Sequence, residues 1–192
     1  MTLEAGCILK GPLAICEGST IKMLARISNG TTIGPACKVA GEVSNSIFHS
    51  YSNKAHDGFV GNSVFGQWVN LGASTTTSNL KNDYGNIKIT DWNTGERVDS
   101  GKQFFGTVMG DHSKTAINTS LNTGTICGVS SNIFVSGLTF TSISSFSWMG
   151  NDSHQVFRFN KAVDVMRSVM KRRNVELTPE YERMMNHIFE NR

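Results

Sequence analysis

The stretch LEAGCILKGPLAICEGSTIKMLARISNGTTIGPACKV, residues Leu3 to Val39, carries a large aliphatic side chain at every sixth position: Leu3, Leu9, Ile15, Ile21, Ile27, Ile33 and Val39. Four residues after each stands a second, usually smaller, uncharged residue: Cys7, Leu13, Ser19, Ala25, Thr31, Cys37 and Val43. A period of six matches neither the helical turn nor the alternation of long strands. It matches short strands joined by turns, with each hexad forming one side of a triangular prism and three hexads closing a coil. Stacked about 4.8 Å apart, such coils pair their backbones along the axis and align the aliphatic residues as an internal column.

Working outward, the repeat returns as Ile117, Thr123, Val129 and Val135, with Leu121, Cys127, Ile133 and Thr139 at the companion position. Between the two runs, Val60-Gly61, Phe65-Gly66 and Leu71-Gly72 keep an apolar-then-Gly pairing. This assigns residues 1–152 to a β-helix. Two segments break the rhythm and are expected as loop excursions, which is where solenoids place binding loops: residues 44–58 and 80–105, the second as an excursion or hairpin off the coil. Cys7, Cys37 and Cys127 fall on inward, small-residue positions, which leaves Cys16 facing solvent. The four cysteines form no C-x-x-C pair, so neither a zinc site nor a dithiol redox motif is indicated.

Composition agrees. Charged residues make up only 17% of the 192, Pro occurs 3 times and Gly 19 times. Small polar residues resist helix interiors and favour strands and turns. Residues 1–152 balance 10 basic against 10 acidic side chains, and residues 153–192 hold 8 against 5, so the tail carries the whole excess of +3. Nothing in the body suggests a nucleic-acid partner, and Lys171-Arg172-Arg173 reads as the solvated end of a helix. No segment has the length and apolarity of a membrane span or signal peptide, and a cytoplasmic location is expected. In the tail, residues 153–192, Phe159, Ala162, Val163, Met166, Val169 and Met170 lie at helical spacing. Thr178-Pro179-Glu180 starts a second helix ahead of Tyr181, Met184, Met185, Ile188 and Phe189.

The hexad pattern resembles that of the bacterial hexapeptide-repeat transferases, whose fold is a left-handed parallel β-helix, and the expected handedness follows from that resemblance alone. Lys54-Ala55-His56-Asp57-Gly58-Phe59-Val60-Gly61, then Gly66-Gln67-Trp68-Val69-Asn70-Leu71-Gly72-Ala73 and Thr75-Thr76-Thr77-Ser78-Asn79, are similar to the acetyltransferase half of bifunctional N-acetylglucosamine-1-phosphate uridylyltransferases. The run Ile33 to Tyr84, with Gly110-Asp111-His112-Ser113-Lys114-Thr115, Ile117-Asn118-Thr119 and Asn122-Thr123-Gly124-Thr125, is more similar still to predicted sugar-nucleotidyltransferase-like proteins. In those, a β-helix and short helical tail follow a nucleotidyltransferase domain.

The resemblance implies an acyltransferase that uses acetyl-CoA as donor and an amino sugar or sugar phosphate as acceptor, forming the C-terminal part of a sugar-nucleotide biosynthesis protein. By the match, His56 is the catalytic base, and Asn70, Asn79, Lys54 and Tyr84 are substrate contacts. An imidazole unprotonated near neutrality suits proton removal from an attacking amine. Asp111, His112 and Lys114 are secondary candidates, with Asp111 orienting an imidazole and Lys114 meeting a phosphate. No metal is expected, because His49, His56 and His112 lack the close spacing of zinc-binding β-helix carbonic anhydrases. The chain departs from the pattern at Phe59, which replaces a Tyr, at Ser74, which replaces a Gly, and in the longer loop after Asn79. The related transferases imply a homotrimer, with His56 near the interface. The alternative, also implied by resemblance, is a non-catalytic trimerisation or regulatory β-helix of a sugar-1-phosphate nucleotidyltransferase; the G-x-G-T/S-R segment that holds the nucleotide is missing here, so nucleotidyl transfer by this chain alone is not expected.

Overall fold

A computed structural model describes residues 1–192 and shows a parallel β-solenoid of about eight turns followed by two helices. Three parallel sheets make the faces of the prism. The first stacks Thr2–Leu3, Thr20–Ile21, Lys38–Val39 and Asn53–Lys54, continues through Asn70, and resumes with Lys114–Thr115, Asn132–Phe134 and Ser147–Gly150. The second stacks Ile8–Lys10, Arg26–Ser28, Glu42–Ser44 and Phe59–Gly61, with Thr76–Thr77 and Ser120–Leu121 below. The third runs unbroken from Leu13–Ile15 to Ser142–Ile143.

The registers align the hexad residues. Leu3, Ile21 and Val39 form the column of the first face, Leu9, Ile27, Val43 and Val60 that of the second, and Ile15, Ile33, Phe48, Phe65, Met109, Cys127 and Ile143 that of the third. Most of these residues, with Ala25, Cys37, Val69, Leu71, Leu121, Ile133 and Met149, form one buried cluster of eighteen. Each fully buried aliphatic or aromatic side chain contributes about 1.5–3 kcal/mol.

Two expectations need correction. Residues 44–58 make no excursion: strands at Ile47–Phe48 and Asn53–Lys54 carry the coil straight through. The rhythm breaks there because corners shorten, with Val39 to Val43 four residues apart and Val43 to Phe48 five. The slip also shifts the later phase. Leu121, Cys127 and Ile133, expected as companions, occupy the interior columns, whereas Ile117 is 68% exposed. Residues 80–105 do leave the coil as an antiparallel hairpin, Lys88–Thr90 against Arg97–Asp99.

Much of the Ser and Thr content lies inside the prism. At the corner between the third and first faces, Ser113 Oγ donates to Gly128 O (2.7 Å) and accepts from Ser131 N (3.0 Å). Ser131 Oγ repeats this, donating to Ser144 O and accepting from Ser147 N, and Ser19 does the same with Gly34 O and Cys37 N. A hydroxyl at this place supplies the partners that a turn's buried backbone groups lack. Cys37 and Cys127 are buried, with their thiols pushed up to about 11 and about 12, and Cys7 packs against the same core. Cys16 is half-buried.

The same corner carries a second column. Gly18, Ala36, Tyr51, Trp68, His112, Ser130 and Phe146 all adopt positive φ, between 54° and 68°. Each precedes its first-face inward residue by three. A left-handed non-Gly residue costs on the order of 1–2 kcal/mol, and here stacking offsets it. Tyr51 lies parallel to Trp68 at 4.1 Å between ring centroids, and Trp68 stacks on His112 at 6.0 Å.

The helices α1 (Phe159–Lys171) and α2 (Pro179–Glu190) cover this aromatic edge. Thr178 caps α2 by accepting from Tyr181 N, with Pro179 in the first turn. Ala162, Val163, Met166, Met170 and Met185 pack with Trp68 and Phe146. Arg173 is a docking contact and not part of a solvated run: its guanidinium donates to Ala36 O and to Asn53 Oδ1 (2.9 Å).

Candidate functional site

At the corner between the first and second faces, Lys54-Ala55-His56-Asp57-Gly58 turns the chain. Lys54 stands in the first-face column directly beside Val39, where an aliphatic residue would be expected, and is 0% exposed. Its Nζ reaches the corner from inside and donates to His56 O (2.7 Å) and Asp57 O (2.8 Å). Burial pushes the ammonium down to about 8, with the Asp57 charge acting in the opposite direction. Asp57 O also accepts from Ser74 N of the next coil (3.0 Å). Gly58 has φ +120°, and a Cβ there would lie 2.2 Å from Thr75 O, so only glycine fits. The backbone of the turn is thus fastened from within and from below, while the His56 side chain is exposed to solvent.

Lys54, expected as a substrate contact, is therefore an internal fastener of the His56 turn: its only polar contacts are two carbonyls, and no surface of it remains for a ligand. Asn70 is exposed on the outer side of the first face, bridged to Asn53 above and Lys114 below. Asn79 lies on a different edge, between the second and third faces, where its Nδ2 donates to Asn62 Oδ1 (2.8 Å) and leaves its own Oδ1 available. Tyr84 is exposed in the excursion, its carbonyl held by Gln103 Nε2. The structure brings His56 and Asn70 onto adjacent coils and sets Asn79 and Tyr84 on another edge of the same prism.

The secondary candidates belong to the aromatic corner. His112 is 0% exposed, its Nε2 shares a hydrogen bond with Tyr181 Oη of α2 (3.0 Å), and its Nδ1 has no partner. Burial, followed by the Lys114 charge, drives the imidazole down to about 3, so it is neutral at physiological pH. Burial likewise pushes the Tyr181 phenol up. Asp111 Oδ1 accepts from Gln67 N (2.8 Å) and does not face the imidazole as expected. Lys114 Nζ donates to His112 O (2.6 Å), and burial lowers it to about 8. Asp111 and Lys114 fasten the corner, and His112 joins it to α2. Sequence reasoning missed this stack because Tyr51, Trp68 and His112 are far apart in the chain. Their common offset of three before an inward residue is the signal that identifies them.

No protein-family model matches the chain. Over 93 residues, 48% of the chain, it is 33% identical to a bifunctional sugar-1-phosphate nucleotidylyltransferase/acetyltransferase of Sulfurisphaera tokodaii, covering 23% of that protein. Over 148 residues, 77% of the chain, it is 30% identical to the bifunctional protein GlmU of Methanocaldococcus jannaschii, covering 33% of it. A third match, 32% over 121 residues, is to GlmU of Methanococcus vannielii, of which it covers 26%. The chain thus spans a third or less of the length of these curated relatives. Among solved structures, the polySia specific acetyltransferase NeuO aligns at TM-score 0.42 and 11% identity, over 80% of this chain and 85% of that one. No helix is long and apolar enough to cross a membrane.

Proposed function

We propose that this relative of a segment of the GlmU-type bifunctional proteins transfers an acyl group from acetyl-CoA to an amino sugar or sugar phosphate. The observation that carries the proposal is the His56 turn. It combines an exposed imidazole with a backbone held by a buried lysine and by the next coil, in a chain whose relatives include a protein named as an acetyltransferase. In the reaction, the acceptor amine attacks the thioester carbonyl, a C–N bond forms, the C–S bond breaks, and His56 takes the amine proton while the thiolate leaves. Asn70 stands on the adjacent coil to contact the acceptor.

His56 and Asn79 occupy different edges of one prism, so one acceptor meets both only across an interface between copies. A homotrimer supplies such interfaces three times, with His56 of one protomer facing Asn79 of the next. A cytoplasmic location accords with this chemistry. The test is to follow free thiol release from acetyl-CoA with a panel of amino sugars and amino-sugar phosphates, beside His56→Ala. Turnover lost in the variant supports the proposal, and turnover that survives it, or none with any acceptor, overturns it.

A second reading, a non-catalytic trimerisation or regulatory domain of a sugar-1-phosphate nucleotidyltransferase, draws on Asn79, whose amide is already engaged by Asn62. A trimeric mass without thiol release would support it.

A further inference from the structure

After the last coil the strand Ser147–Gly150 turns back antiparallel as His154–Val156 and leads into α1, and between that turn and the helix lies a groove of about 790 Å³. We infer that this groove is a docking site for an acidic amphipathic helix of a partner protein.

The face of α1 that packs on the prism carries Ala162, Val163, Met166 and Met170. Lys161, Val165, Ser168, Val169 and Arg172 follow the same helical spacing on the neighbouring face and line the groove. Val165 and Val169 are only half-buried, so the apolar stripe of α1 is wider than its packing on the prism uses. The other wall is built on Trp148, which is 40% exposed on the outer side of the first face. Its ring is braced edge-on by Phe134 at 5.0 Å and lies tilted against Phe157 at 5.1 Å between centroids. Val156, exposed beside it, extends the wall. A braced tryptophan among aliphatic side chains is the kind of anchor on which protein interfaces concentrate their binding energy.

Charge selects the occupant. Arg158, Lys161 and Arg172 line the groove against one carboxylate, Asp164, a net charge of +2. Asp164 is itself shared with Arg167, 3.8 Å away, and none of the three cations belongs to an ion pair of the chain. The first turn of α1 adds no acidic residue. Arg158 and Arg172 flank the 13-residue helix at its two ends, about 20 Å apart along the axis. A small molecule with one carboxylate cannot meet both ends. A partner helix of about four turns spans them, with its apolar stripe on Trp148, Val165 and Val169 and its acidic residues toward the cations. A second copy of this region is a poor occupant, because residues 153–192 hold 8 basic against 5 acidic side chains and bring like charge. Trp148 stands three strands below Asn70 on the first face, about 14 Å along the axis, and no residue of the groove takes part in the proposed acyl transfer.

The probe is a fluorescein-labelled model peptide of about fifteen residues, with leucine at helical spacing on one face and glutamate on the other. It is titrated with the full chain and followed by anisotropy. Saturable binding is expected, weakened about tenfold or more in Lys161→Glu and in Arg172→Glu, with unchanged circular dichroism because both side chains are exposed. Salt at about 0.5 M weakens it as well. Trp148→Ala, with its fold checked in the same way, loses the apolar anchor and binds weakly at every salt concentration. A peptide of the same residues in scrambled order, which lacks the apolar stripe, binds about tenfold or more weakly. The variant His56→Ala binds the probe as the parent does, which separates this result from any failure of acyl transfer. No saturable binding, equal affinity for the scrambled peptide, or unchanged affinity in both charge reversals overturns the inference. Displacement of the probe by decanoate at comparable concentration would make the groove a small-anion site, and a fall in the chain's own oligomeric mass in Trp148→Ala would make it an interface between copies. Either result also overturns the inference.

Discussion

Replacing Lys54 with Met, a side chain of similar length and no charge, opposes two effects that the structure allows to be weighed. The buried ammonium is held down to about 8, against an ordinary value of 10.5. At 1.36 kcal/mol per pH unit, that burial costs the folded state about 3 kcal/mol as an upper value. Against this, Lys54→Met leaves His56 O and Asp57 O without their donor, at about 1–3 kcal/mol for each buried carbonyl. The net change at pH 7 therefore lies between a gain of about 1 kcal/mol and a loss of about 3 kcal/mol. The pH dependence has a definite sign. Between pH 8 and 10.5 the unfolded chain keeps the Lys54 proton and the folded chain has released it. Stability accordingly rises with pH across that window, and the full cost is present below it. Urea unfolding followed by tryptophan fluorescence at pH 7, 8, 9 and 10 measures this. The parent gains on the variant by up to about 3 kcal/mol, and Lys114, present in both proteins, cancels in the difference. Parallel curves would refute the placement of Lys54 in the interior column. The proposed acyl transfer falls in Lys54→Met even where the fold is kept, because the His56 turn has lost its internal fastener.

Two further outcomes follow from the corner. His112 is depressed from 6.5 to about 3, so its contribution is intact above pH 6.5 and is lost as the pH falls from 6.5 toward 3, loosening α2 from Trp68. The variant His112→Phe keeps the stack and shifts the acid midpoint of Trp68 fluorescence downward; an unchanged midpoint would contradict the assignment. Ser113→Ala removes a donor to Gly128 O and an acceptor for Ser131 N, costing about 2 kcal/mol in urea unfolding. A cost near zero would show that the interior hydroxyl column is incidental.

How much was legible in the sequence depends on the corners. From Leu3 to Val39 every corner keeps six residues, and period and column coincide. Beyond Val39 the shortened corners move the phase, and the large residue at Ile117 marks the outside of the coil. Lys54 could not be read as interior, since a charged residue in a hexad column contradicts its own hydropathy and only the two carbonyls explain it. The aromatic corner was hidden for a related reason: its left-handed residues are Tyr51, Trp68, His112 and Phe146, where turn chemistry leads one to expect Gly or Asn. The hairpin was legible because its polar, turn-rich segment interrupts the repeat on both sides. The roles of His56, Asn70 and Asn79 came from resemblance. The structure adds that His56 and Asn79 stand on separate edges.

That separation makes the proposed sharing of one site between protomers directly measurable. His56→Ala and Asn79→Ala are prepared separately, each inactive in thiol release, then unfolded, mixed in equal amounts and refolded together. Random mixing in a cyclic trimer regenerates intact sites at about one in four interfaces, so the mixture recovers about a quarter of the parent activity. A mixture as inactive as its components would contradict the account.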